Sequence, residues 1–318
     1  MLTLKAPKGK KYHEKIVGNH CLQNFEVGGR LGRQGNQPSR EICPEGLPGR
    51  IQKPKMIVAV TGSNGKTSTV EMIASVLKAS GKTVAYNAEG SNQIEGVTTM
   101  ILNSCTLGGK MKQDVLLIES DERYTKHTFK WFHPTHYVMT NLYRDQLTRN
   151  GHPEWVFDAI KESVFEDTTL ILNADDPAIS LFGQGRENVL WFGLERCATD
   201  REEFEGAYND GIYCPVCGKP LSYGAYHYNH IGFYECKNCG HARKEPNFAV
   251  TDFNFDVGEM TINKKYKLQM NLRSIYNAYN LLATLTAIEN VELPLKYLNI
   301  SASERKRRVT EILKRMNI

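Results

Sequence analysis

From residue 56 onward, short apolar runs alternate with stretches whose apolar positions recur every three or four residues. The runs are Met56–Val60, Thr83–Tyr86, Val115–Ile118, Tyr137–Thr140, Leu170–Leu172 and Val189–Phe192. Runs of this length without polar alternation predict strands buried on both faces. Between the first two, Val70, Ile73, Ala74 and Leu77 fall on one face of a helix, and Gly81 stands where a helix would end. Strands alternating with helices predict an α/β fold, a mostly parallel sheet flanked by helices. Most runs end in polar clusters: Asn87–Gly90, Glu119–Glu122, Thr140-Asn141 and Asn173–Pro177. Ligands of such sheets bind outside the carboxyl ends of the strands, so these clusters predict one shared crevice.

The pattern changes after residue 203. Residues 204–248 hold two Cys-x-x-Cys pairs around a Tyr- and His-rich stretch, read as a hairpin. Residues 249–270 read as short strands and turns. Residues 271–290 read as a helix with Leu281, Leu282, Leu285 and Ile288 on its apolar face and Asn277 and Asn280 near its start. The expected organisation is therefore a basic segment over 1–55, a central domain over 56–203 and 249–295, an insert over 204–248 within it, and a basic tail over 296–318. The first 55 residues carry eleven Lys or Arg against four acids, and a solvated arm is the expectation there.

Composition narrows the function classes. The 318 residues carry 24% charged side chains and a net charge of +5, ordinary for a globular chain and too modest for a nucleic-acid footprint. No stretch approaches the roughly 18 apolar residues of a membrane span. The amino terminus lacks the apolar core of a signal peptide, so a cytoplasmic location is expected. Eight cysteines in such a chain point to metal more than to disulfides.

The first candidate site is the turn Gly62-Ser63-Asn64-Gly65-Lys66-Thr67-Ser68 between the first strand and helix. Such a turn aims backbone N–H groups and the positive end of the helix dipole at one point, which suits phosphate. Lys66 would reach the β/γ-phosphates and the Thr67 hydroxyl would ligate Mg²⁺. Val60 stands where the full P-loop pattern has its first glycine. A plain strand-to-helix turn is the structural alternative, and the order strand, glycines, lysine, hydroxyl, helix favours phosphate. Glu119, directly after the strand VLLI, is the expected second Mg²⁺ ligand. Asp121 and Glu122 read equally well as solvated turn acids. Asp175-Asp176-Pro177 reads first as a helix N-cap and turn.

The second candidate site is Cys214, Cys217, Cys236 and Cys239, spaced C-x₂-C-x₁₈-C-x₂-C, the pattern of a four-cysteine zinc ribbon. A closed tetrathiolate site has no open position, so a structural zinc is expected. His227, His230 and His241 are then surplus and read as surface or hairpin residues. Zinc ribbons also occur in nucleic-acid readers, but residues 204–240 hold only Lys219 and Lys237 as basic residues, which disfavours that reading.

The stretches TGSNGKTST (61–69), NAEGSNQIEGVTT (87–99), IESDE (118–122), TNLYRDQLTR (140–149), LNADDP (172–177), YCPVCGKPLSYGAYHYNHIGFYECKNCG (213–240) and NAYNLLA (277–283) resemble the Mur ligase superfamily. The cysteine insert joined to HYNHIGFY is similar to that of MurT-type subunits of lipid II isoglutaminyl synthase. Mur-type loops use the shorter form T-G-x-N-G-K-[ST], which accounts for Val60. The resemblance implies a cytoplasmic ATP-dependent carbon–nitrogen ligase of peptidoglycan synthesis. It implies activation of the D-glutamate α-carboxylate of lipid II as an acyl phosphate, and amidation with ammonia from a glutaminase partner, GatD. The runner-up is another Mur-type amide ligase.

By the same resemblance, residues 62–68 cradle ATP with Asn277 and Asn280 near the adenine, and Lys66 and Glu119 are catalytic. Asn87, Glu89, Asn92, Arg144, Asp145 and Gln146 would line the substrate side. Gln146 stands where broader Mur ligases have His, and Thr148, Asn150 and His152 depart from the usual MurT-type pattern. The resemblance also implies a C-terminal domain that closes over the nucleotide. The family pattern is left soon after residue 290, so the expectation is an ATP cradle whose lid lies outside these 318 residues.

Overall fold

The computed structural model describes residues 51–87, 91–130, 132–143, 153–206, 209–270 and 274–291. Within them the expected apolar runs are all strands: β1 (Met56–Thr61), β2 (Val84–Tyr86), β3 (Val115–Glu119), β4 (His136–Met139), β5 (Thr169–Asn173) and β6 (Val189–Leu194). A hairpin follows, β7 (Ser222–Tyr228) and β8 (Ile231–Glu235), and then β9 (Phe248–Asn254), β10 (Glu259–Ile262) and β11 (Tyr266–Gln269). The helices are α1 (Lys66–Ala79), α2 (Ile94–Ser104), a single turn α3 (Thr125–Thr128), α4 (Pro153–Lys161) and α5 (Ile275–Val291).

Among the described residues, nine strands form one sheet in the order β11-β10-β9-β6-β5-β4-β1-β3-β2. Every pairing from β2 to β9 is parallel, and the two pairings at the far edge, β9 with β10 and β10 with β11, are antiparallel. The chain leaves β1 toward β2 and β3 on one side, then crosses to β4 on the other. The carboxyl end of β1 is thus the topological switch point, where such sheets bind ligands.

Alternation along the strands feeds two cores. Val58, Val60, Leu117, Val138 and Ile171 face α1 and α5, meeting Val70, Ile73, Ala74, Leu77, Leu281 and Leu282. Ile57, Ala59, Leu116, Ile118, Tyr137, Met139 and Leu170 face the other way, toward Val97, Ile101, Val156 and Ile160. Burial of both faces is why the strands read as unbroken apolar runs. α1 ends as expected at Gly81, which takes φ +90°. The Lys82 N–H bonds Leu77 O and the Gly81 N–H bonds Lys78 O, satisfying the last carbonyls of the helix.

The β7–β8 hairpin forms a separate two-stranded sheet lying in the connection between β6 and β9. Its turn residue Asn229 adopts φ +44°, which asparagine tolerates better than most. No helix among the described residues is long and apolar enough to cross a membrane.

Candidate functional site

The turn between β1 and α1 is held from two sides. Gly62 takes φ +135°, and a Cβ there would come within 2.2 Å of Thr140 Oγ1 and 2.9 Å of Asn141 O. Gly65 takes φ +83°, and a Cβ there would meet Asn280 Oδ1 at 2.1 Å. Both glycines are therefore required by conformation and by space. The segment after β4 reads the loop in detail. Ser63 N donates to Asn141 O at 2.8 Å and Asn64 N to Asn141 Oδ1 at 2.9 Å. Thr140 Oγ1 and Asn141 Nδ2 both donate to Asn64 O. Tyr143 exchanges hydrogen bonds with Ser63 Oγ through its N–H and carbonyl, and its hydroxyl accepts from the Asn64 amide. α1 starts at Lys66 with Gly65 as its N-cap and no side chain capping it, so its first N–H groups face outward beside Thr67 and Ser68.

Three carboxylates at the carboxyl end of β3 have different fates. Glu119 is 1% exposed. Its Oε1 accepts from Thr67 Oγ1 at 3.1 Å and from Asn92 Nδ2 at 3.0 Å, while its Oε2 is buried without a hydrogen-bond partner. Asn87 clamps the Glu119 backbone, accepting from its N–H and donating to its carbonyl, both at 2.8 Å. Glu122 pairs with Lys66 at 3.1 Å, and Lys66 also donates back to the carbonyls of Gly62 and Ser63. Asp121 is chelated by Arg123, at 2.9 and 2.6 Å. A buried carboxylate oxygen beside a hydroxyl, with no donor of its own, has the character of a hard-cation ligand.

Two matching turns bring the four cysteines together. Cys214 N donates to Lys219 O and Gly218 N to Cys214 O; Cys236 N donates to His241 O and Gly240 N to Cys236 O. Gly218 and Gly240 take φ +68° and +75°. Cys214 and Cys239 sulfurs lie 3.5 Å apart, as do those of Cys217 and Cys236, and all four fall within 4.8 Å of one another. Disulfide sulfurs sit at about 2.05 Å, whereas a tetrahedral ion with ~2.3 Å bonds holds its sulfurs near 3.8 Å, so the spacing fits a metal. The Lys219 N–H lowers the Cys217 thiol to about 6, toward the thiolate that binds metal.

The insert rests on the two aspartates after β5. Asp175, fully buried, accepts from Arg243 Nε at 2.6 Å, Tyr279 OH at 2.6 Å and Leu194 N at 2.8 Å. Its carbonyl accepts from Gly232 of β8. Asp176 caps the following turn through Ala178 and Ile179 N–H groups and accepts from Leu142 N at 2.7 Å. The structural reading of this pair is what the contacts support. Of the histidines, His227 on β7 and His230 at the hairpin turn are hairpin residues as read, but the surface reading is corrected: His227, His230 and His241 are 5%, 1% and 7% exposed, packed between insert and sheet. His227 Nδ1 lies 2.7 Å from Asp200 Oδ1. Burial opposes its charge, but the bond to Asp200, helped by Cys197 and Asp175, carries it up to about 9.

A model of the Mur ligase middle domain matches residues 60–242, more than half of the chain. The chain belongs to the Mur ligase family. It is 31% identical over 271 residues to the MurT subunit of lipid II isoglutaminyl synthase from Staphylococcus aureus (strain N315), covering 83% of this chain and 60% of that relative. The MurT subunit of Streptococcus pneumoniae (strain ATCC BAA-255 / R6) is 28% identical over 80% of this chain and 57% of its own length. Among solved structures, a pseudomurein peptide ligase type C from Methanothermus fervidus superposes with TM-score 0.65 at 27% identity, over 84% of this chain and 50% of that one. The chain thus spans about 60% of the length of the curated relatives it matches.

Within this Mur ligase fold, residues 62–68, Glu119, Asn87, Asn92 and Asn280 gather at the carboxyl end of β1 and β3. Asn280 lies against Gly65, and Asn277, one turn earlier on α5, is half-buried. Glu89, Arg144, Asp145 and Gln146 lie outside the described residues. Tyr143 and Glu122 are additions, both in direct contact with the loop. Tyr143 gave no signal of its own, whereas Glu122 stood beside Asp121, a pair that sequence could not rank.

Proposed function

We propose that this chain is the ATP-binding part of a MurT-type amide ligase, activating the α-carboxylate of the stem-peptide D-glutamate of lipid II. The observation that carries the reading is the joint presence of the Mur-type loop with Glu119 and the tetracysteine insert docked on the same sheet. Both lie within the stretch similar to the MurT relatives. In this reading the N–H groups at the start of α1 and Lys66 neutralise the phosphates as the γ-phosphoryl group transfers. Glu122 holds the Lys66 ammonium at the loop, and Asn87 and Asn92 fix Glu119. Mg²⁺, held by Thr67 and the unpartnered Oε2 of Glu119, would supply charge neutralisation across the phosphates.

A carboxylate oxygen of the substrate attacks the γ-phosphorus and ADP leaves. Ammonia from a GatD-type glutaminase then attacks the acyl carbon, and phosphate departs as the amide forms. The four cysteines hold a structural zinc, closed to substrate. The likeness to the pseudomurein peptide ligase favours one second reading, in which an amino acid takes the place of ammonia.

The test is co-expression with a GatD-type glutaminase, then incubation with ATP, Mg²⁺ and lipid II, supplying glutamine, ammonium or amino acids in parallel. Mass spectrometry of the stem peptide reads the product. Amidation with glutamine or ammonium supports the proposal, and product only with an amino acid supports the second reading. ATP hydrolysis with no acyl product in any arm refutes both.

A further inference from the structure

The hairpin between the two cysteine pairs is linked to the phosphate loop through Tyr143. Tyr143 fixes two loop positions at once, exchanging hydrogen bonds with Ser63 at 2.8 and 2.9 Å and accepting from the Asn64 side chain through its hydroxyl. The other side of Tyr143 meets His230, whose ring stands edge-on to it with centroids 6.0 Å apart and planes at 79°. His230 sits at the tip of the β7–β8 hairpin and is 1% exposed. Its Nε2 lies 3.9 Å from Asp176 Oδ1, and the other oxygen of Asp176 holds Leu142 N, the residue before Tyr143. The hairpin tip thus contacts the 142–143 segment both directly and through Asp176.

The hydrogen bonding of His230 does not account for its place. Its Nδ1 is buried with no hydrogen-bond partner, a cost that a purely structural hairpin tip would avoid with an apolar residue. Its shape and edge contact do account for it, since an aromatic edge set against Tyr143 limits the tilt of that ring. We propose that His230 is a positioning residue of the nucleotide site. The metal-closed cysteine insert holds His230 against Tyr143, and Tyr143 holds Ser63 and Asn64 in the phosphate-binding conformation. The insert is then a brace of the loop, and metal occupancy sets nucleotide affinity from outside the site. This rests on the reading of residues 62–68 as the ATP cradle.

The experiment measures Mg-ATP binding to the full chain by calorimetry, with zinc content and circular dichroism recorded for each variant. His230→Ala is expected to weaken binding about tenfold, the scale of coupling between residues in contact. His230→Phe, which keeps the aromatic edge, restores most of the loss. Tyr143→Ala produces a similar loss, and the double variant is little worse than Tyr143→Ala alone because both act through one contact. A general loss of stability would instead give additive losses and no rescue by Phe. Where His230→Ala fails to fold, the unmodified chain serves: removing the metal with a chelator weakens Mg-ATP binding and returning zinc restores it.

Binding within twofold of the parent after His230→Ala, additive losses, or affinity indifferent to metal each overturn the proposal. Lys66→Ala separates this failure from failure of the underlying reading. A parent that binds Mg-ATP and loses it on Lys66→Ala while His230→Ala is silent removes the brace alone. A parent that binds no Mg-ATP removes both.

Discussion

Replacing Asp175 by Asn is a sharp test of how the insert is fastened to the sheet. The carboxylate is fully buried and receives three donors, from Arg243, Tyr279 and the Leu194 backbone. Asn keeps the shape but offers a single acceptor oxygen and turns an NH₂ group toward at least one of those donors. It also removes the counter-charge of Arg243, whose side chain is only 11% exposed. Breaking one partner of such a buried pair costs about 3–5 kcal/mol. Asn escapes the desolvation that the carboxylate bears, so the lower end, about 3 kcal/mol, is expected. Urea unfolding at fixed zinc, followed by tryptophan fluorescence and far-ultraviolet circular dichroism, measures it where the two transitions coincide. Combining Asp175→Asn with Arg243→Met should recover about half of the loss, because the stranded charge is gone while Leu194 O still lacks its Arg243 donor. A loss below about 1 kcal/mol, or no recovery in the double variant, would refute the account of Asp175 as the fastening point.

Three further outcomes follow from the geometry. Lys66→Ala should abolish measurable Mg-ATP binding while leaving one zinc per chain, and unchanged affinity would remove the phosphate-loop assignment. Gly65→Ala pairs a left-handed φ, costing about 1 kcal/mol, with a Cβ 2.1 Å from Asn280 Oδ1. Nucleotide affinity should fall, and adding Asn280→Ala should restore only the part due to the clash. His227 has its folded-state value raised to about 9 by Asp200 against an ordinary 6.5. Its contribution, at most about 3 kcal/mol, is complete below pH 6.5 and is lost as pH rises through 9. Urea midpoints from pH 6 to 10 should show that fall in the parent and a flatter profile in His227→Gln.

Much of this was legible in sequence because each element announces itself locally. Val58 and Ile57 point to opposite cores, so β1 had to read as an unbroken apolar run. Gly62, Gly65 and Gly81 mark positive-φ turns, and the cysteine spacing carries its own hairpin. The illegible part consists of contacts between distant residues. Asp175 and Tyr279 are 104 positions apart, and Ser63 and Tyr143 are 80. Local pattern holds no trace of such pairs. The histidines of the insert read as surface or hairpin residues, their burial unseen, for the same reason: nothing within 204–248 records the sheet against which that segment packs. Asp121 and Glu122 could not be ranked until Arg123 was seen to occupy the first and Lys66 the second.

The cysteine insert occupies the crossover between two adjacent parallel strands, β6 and β9, and this orders events as the chain is made. Everything up to β6 can assemble first, including the phosphate loop and Glu119. Until the insert folds, β6 remains an open edge with unpaired backbone groups, a template for association with other chains. β9 to β11 and α5, which bring Phe253, Asn280 and Tyr279, follow the insert along the chain. If the four cysteines hold zinc as proposed, a cell short of zinc would accumulate half-built sheets with a sticky edge. The metal's first effect would appear in the yield of soluble protein, before any catalytic rate is measured.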